Sequence, residues 1–161
     1  MTDHLVPLIC AGILILLIAL VMVSRGSRPF SAYRRKRLMT QHETVMYHKL
    51  VKALSGTPYI VCPQVSMAAV MDVRSGMENS RRLGLRNRFD RKIVDFVIAD
   101  ADGHARLLVE LDDSSHVLSK DRDRDEITRD AGYTTLRYRK AGKLDPRDLR
   151  RDIAEIIRAQ D

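Results

Sequence analysis

Tryptophan is absent from the 161 residues, and there are only 5 Tyr and 3 Phe. The core must therefore be built from Val, Ile, Leu, Met and Ala, and the length suits one domain with appendages. Cysteine is equally scarce, with 2 in the chain: Cys10 in an apolar N-terminal run and Cys62 in a strand-like run. Without a CxxC pair, neither a zinc finger nor a disulfide framework is indicated, and Cys62 reads as a buried, reduced thiol. No internal repeat and no low-complexity tract is visible. What the chain has in excess is positive charge, +7 net with a pI near 9.7. That balance favours anionic partners, either nucleic acid or anionic lipid.

The apolar run covers residues 5–23 and holds no charged side chain. At about 1.5 Å per residue it matches the roughly 30 Å of a bilayer core, so a transmembrane helix is expected there. Residues 1–4 carry no Lys or Arg, and Ser-Arg-Gly-Ser-Arg-Pro follows the run. Both features argue against a cleaved signal peptide. Arg25, Arg28, Arg34, Arg35, Lys36 and Arg37 come next, with no acid before Glu43. The positive-inside rule then places the N-terminus outside and the remainder in the cytoplasm. The same cluster, residues 25–37, offers a surface for anionic headgroups beside its plainer role as a stop-transfer signal. The expected layout is a short external N-terminus at 1–4, the span at 5–23, a basic linker at 24–38 and an α/β domain at 39–161.

Within that domain, Thr40 and Glu43 have capping-box spacing, and Met46, Leu50 and Leu54 recur at helical intervals, predicting a helix over 40–54. A strand is expected over 59–65, demoted by Pro63 to an edge or a bulged strand. Residues 66–73 are ambiguous, and 74–90 read as a loop with a weak element. Two apolar strands, 93–99 and 106–112, flank the turn signal Asp-Ala-Asp-Gly and should pair antiparallel. A charged helix over 119–131, a strand over 133–138 and a last helix opened by Asp145-Pro146 complete a mixed sheet flanked by helices.

Both apolar strands carry acids where Val or Ile is expected. Asp95 interrupts the first; Glu110 and Asp112 share one face of the second and can lie beside Asp95. Buried carboxylates are costly without compensation. A divalent cation is one remedy, and an all-oxygen set favours Mg, Mn or Ca. Ion pairing with Arg or Lys from the 119–131 helix or the 133–138 strand is the other, and spacing leaves both open. Arg81, Arg82, Arg86, Arg88, Arg91 and Lys92 form a basic stretch suited to tracking a phosphate backbone, or a solvated loop. Glu43 reads equally as a helix cap and as a site residue. His116 sits in a polar loop after the second strand.

These residues, Glu43, Asp95 in VDFV, Glu110-Leu111-Asp112 in VELDDSSH, the run DRDRDEITRDAGY and the strand TLRY, resemble the bacterial domain of unknown function 2726 over about residues 38–140. That family resembles the PD-(D/E)XK, restriction-endonuclease-like superfamily and the very-short-patch-repair-like endonucleases. The resemblance implies an αβββαβ core and Mg²⁺- or Mn²⁺-dependent hydrolysis of phosphodiesters, at the inner membrane given the N-terminal run. Asp95 and Glu110 match the metal-binding acids, and Glu43 a helix-borne one. The superfamily usually has Lys two residues after the second acid, where this chain has Asp112. The relatives suggest Asp112 as a further metal ligand, with His116 for acid–base work and Lys92 or Lys120 for the charge. A member that has lost turnover and only binds is the alternative, as nucleic-acid or protein-interaction domain.

Overall fold

The computed structural model describes residues 5–25, 32–112 and 118–160, with side chains over 12–22, 32–112 and 124–160. The chain divides into two units, Met1–Lys36 and Arg37–Asp161. The first contains helix α1 (Leu5–Arg25). Its described side chains are exposed and apolar, Ile15 and Leu16 among them. Among the described residues no helix is long and apolar enough to cross a membrane. The spanning segment expected at 5–23 is therefore unsupported.

The second unit opens with α2 (Gln41–Ala53). The Thr40 hydroxyl accepts the Glu43 N–H at 3.2 Å, and the Glu43 carboxylate accepts the Thr40 N–H at 2.5 Å. This reciprocal cap satisfies two of the donors that a helix start leaves unpaired. Removing it by Thr40→Ala is expected to lower stability by about 1 kcal/mol in chemical denaturation; no loss would mean that water replaces the cap.

There follow β1 (Ile60–Ser66), the single turn α3 (Met67–Val70), α4 (Asn79–Asn87), β2 (Ile93–Ala99), β3 (Ala105–Asp112), α5 (Leu118–Asp130), β4 (Thr135–Arg139) and α6 (Pro146–Arg158). The four strands lie in the order β1-β2-β3-β4. The first three are antiparallel, and β4 runs parallel to β3. A parallel pair needs a crossover, which α5 supplies. The domain is thus a mixed α/β fold, its sheet flanked by helices. The β2–β3 turn is closed by Asp100, whose Oδ1 accepts the N–H groups of Asp102 and His104, with Gly103 at φ +86°.

Strand alternation sorts the side chains between two cores. Leu107, Val109 and Leu111 join Phe96 and Ile98 beneath α2 and α6, where Met46, Leu50, Leu149 and Ile153 are buried. Each fully buried aliphatic of this kind contributes roughly 1.5–3 kcal/mol. Leu108 and Val97 pack instead with Met67 and Phe89, and Ile127 of α5 and Tyr133 close over them. Glu110 and Asp112 share the parity of Leu108, so β3 presents them on the α5 side of the sheet.

Two places differ from expectation. The stretch read as a loop contains the nine-residue helix α4, which buries no side chain and so has no apolar stripe to betray it. β1 takes the sheet edge, as Pro63 requires, but its irregularity falls on the next residue. Gln64 adopts φ +55°, a left-handed conformation costing an L-residue roughly 1–2 kcal/mol. The pairs Pro63↔Phe96 and Val65↔Val94 continue on either side, and Gln64 and Asp95 between them are left out of the ladder.

Candidate active site: an ion-paired carboxylate cluster

Among the described residues Glu110 is the charged side chain that is buried, 4% exposed within β3. Two arginines meet it. Arg124, projecting from α5, donates from Nη1 to Glu110 Oε2. Arg137 stands in register with Glu110 on β4, its Nη1 3.6 Å from the same oxygen. Arg137 also reaches Asp112 Oδ1 at 3.0 Å and donates from Nη2 to Asp125 on α5. Parallel pairing of β3 with β4 sets this up, since registered residues share a face. The α5 crossover then brings Arg124 and Asp125 over that face.

Asp95 approaches from β2. The β2–β3 pairing ends at Phe96↔Val109, and Asp95 is the next residue of β2 beyond it, on the side of Glu110. Its Oδ2 accepts the Leu111 N–H at 2.9 Å, in place of a ladder bond. Burial raises the Glu110 pKa above the ordinary carboxylate value; Arg124 and Arg137 pull it down, and the Asp95 charge adds to the rise. Among the described residues, four carboxylates (Asp95, Glu110, Asp112, Asp125) and two guanidiniums gather at the cluster.

Glu43 stands at one remove. Its two oxygens serve the Thr40 cap and the Gln64 side-chain amide, the latter at 3.1 Å. Cap and link to β1 are thus both present. His116 lies outside the described residues, as does the side chain of Lys120. Lys92 is half-buried at the start of β2, where its carbonyl accepts the Met67 N–H.

The basic stretch divides. Arg82 and Arg86 of α4 bridge to Asp72 at 3.6 and 3.1 Å. Arg81, Arg88 and Arg91 are exposed. An open polar cleft of about 380 Å³ lies against the cluster, lined by Asp125, Thr128, Arg129, Thr135 and Arg137 among others.

The donor chemistry is of the kind a hard divalent cation takes: carboxylate oxygens, one of them buried. The three acids singled out in the sequence are not gathered around one point, however, because Asp112 is turned to Arg137. Among the described residues, the group of three ligand atoms lying within 4.8 Å of one another is Asp100, Asp102 and His104 in the β2–β3 turn. There the Asp100 carboxylate is already occupied in closing the turn. Asp95 and Glu110 are the acids of the three whose charges act on one another.

Arg124, Asp125, Arg137 and Gln64 were not singled out individually in the sequence. Arg137 had a signal, a charge inside a short strand. Arg124 and Asp125 are hidden among alternating charges, and the bend at Gln64 has no side-chain signature.

The fold and the cluster define a mixed α/β domain with an ion-paired acidic centre on one face of its sheet. The family model described as a protein of unknown function (DUF2726) matches residues 35–156. The chain belongs to that family. No curated protein and no solved structure matches it.

Proposed function

We propose that residues 37–161 form a metal-dependent, nuclease-like domain that hydrolyses nucleic-acid phosphodiesters. The observation that carries this reading is the buried Glu110 within β3, with Asp95 of the neighbouring β2 bonded to the Leu111 N–H beside it. The element order, α2, three antiparallel strands, α5 and a parallel fourth strand, agrees with the αβββαβ core of the restriction-endonuclease-like superfamily. Asp95 and Glu110 would hold Mg²⁺ or Mn²⁺, with Asp112 behind Arg137. Such an ion lowers the pKa of bound water and stabilises charge on a phosphoryl group. The chain's own residues bind and orient: Arg81, Arg88 and Arg91 serve the phosphate backbone, and Arg137 keeps Asp112 and Asp125 in place. Glu43 orders the start of α2 and the bend at Gln64.

A catalytically degenerate nucleic-acid binder is the second reading. It is favoured by the Arg124–Glu110 pair, which already satisfies the buried acid, and by Asp112 at the usual Lys position.

A membrane anchor completes the proposal. Residues 5–23 are uncharged, α1 covers them, and its described side chains, such as Leu14 and Met22, are exposed apolar groups. The following Arg and Lys cluster would hold the domain on the cytoplasmic side and suits anionic lipid.

The test incubates the full chain in detergent with single- and double-stranded DNA and with RNA, in Mg²⁺, Mn²⁺ or EDTA. Cutting that requires metal and disappears in Asp95→Asn and Glu110→Gln is the expected result. Salt-sensitive binding without cutting under any metal would establish the degenerate binder, and neither cutting nor binding would end both readings.

A further inference from the structure

The two arginines on Glu110 are held very differently. Arg137 contacts Glu110, Asp112 and Asp125, and its backbone lies in the sheet in register with Glu110. Freeing it would take the guanidinium from both Asp112 and Asp125. The Arg124 guanidinium has Glu110 as its partner among the described residues, and its side chain keeps 26% of its surface in water. Its backbone is anchored separately, the Arg124 carbonyl accepting the Thr128 hydroxyl at 3.1 Å. The guanidinium can therefore swing away while α5 stays in place.

We propose that Arg124 is an exchangeable counter-ion, which neutralises Glu110 in the metal-free protein and transfers to a nucleic-acid phosphate when a divalent cation takes its place. This inference rests on the nuclease-like reading above. A cation bound through Glu110 would crowd Arg124 with like charge. Like charges at such short range repel strongly even near a protein surface. The more weakly held of the two guanidiniums yields. Once released, a planar guanidinium is well shaped for two-pronged hydrogen bonding to phosphate. Arg124 thereby supplies, from α5, the positive charge that Asp112 cannot supply from β3. The exchange also makes metal and nucleic acid bind cooperatively, since each removes a competitor for the other.

The experiment titrates the full chain in detergent with Mn²⁺, reading free Mn²⁺ by electron paramagnetic resonance, without nucleic acid. Arg124→Gln is expected to bind Mn²⁺ about tenfold more tightly than wild type, the equivalent of one lost competing pair. Arg124→Lys, which keeps the charge, should stay near wild type, and circular dichroism checks that each variant is folded. In Ca²⁺, Arg124→Gln should also bind a short DNA duplex about tenfold more weakly. If Arg124→Gln binds Mn²⁺ no better than wild type while Glu110→Gln binds it worse, the exchange is overturned and the metal site stands. Tighter Mn²⁺ with unchanged duplex affinity overturns the transfer to phosphate. No Mn²⁺ binding by wild type or Arg124→Gln removes the metal reading and this inference with it.

Discussion

Glu110→Ala is expected to lower the unfolding free energy by about 3 kcal/mol, near the low end for breaking a buried pair. The substitution removes a carboxylate that is 4% exposed and leaves two guanidiniums facing the space it occupied. Both arginine side chains keep about a quarter of their surface in water, which softens the loss. Glu110→Gln retains the shape and an acceptor oxygen and should cost less. The two variants also separate charge from packing through pH. Because burial raises the Glu110 pKa in the fold, its contribution to stability is complete below the ordinary carboxylate range. It is lost as pH rises through the raised value. Glu110→Gln cannot titrate, so the stability of wild type relative to Gln should fall as pH rises across that window. Chemical denaturation at a series of pH values measures both effects. A Glu110→Ala variant as stable as wild type would show that the arginines find other partners and that the cluster is not a fixed element of the fold.

Neutralising Arg81, Arg88 and Arg91 together is expected to reduce the salt dependence of nucleic-acid binding by about three units of log–log slope. By the same counterion arithmetic, affinity at 0.1 M salt should drop by roughly a few hundredfold. These three are chosen because the structure leaves them exposed, whereas Arg82 and Arg86 are already bridged to Asp72. A basic stretch in sequence is thus divided by the fold into one part that stabilises α4 against the preceding loop and one part facing solvent. Binding isotherms of a short duplex at several salt concentrations give the slope directly. An unchanged slope in the triple variant would move the phosphate-contacting surface away from α4.

Placement of the acids governs both chemical proposals. Asp95 and Glu110 feel one another's charge because β2 and β3 are antiparallel neighbours, and the apolar runs around both residues made that strand pairing readable. Asp112 shares their face but not their centre, since Arg137 claims its carboxylate. Glu43 closes the cap with Thr40 and reaches β1 through Gln64.

By itself the sequence determined the elements whose information is local. Apolar runs marked β2 and β3, the Asp100–Gly103 turn joined them, and Thr40 and Asp145 placed the starts of α2 and α6. It also determined that acids would sit within apolar strands. Only the tertiary structure decided what compensates them. Arg124 and Arg137 lie 14 and 27 positions beyond Glu110 in the numbering, and nothing local couples them to it. They arrive because β4 docks parallel to β3 and α5 crosses the polar face. Likewise α4, which buries nothing, and the left-handed Gln64, whose conformation serves the edge of the sheet, carry no periodic signal. Hydrophobic pattern reports which side of an element faces inward. Pairing of charges across the fold depends on register and crossover, which chain-local chemistry does not encode.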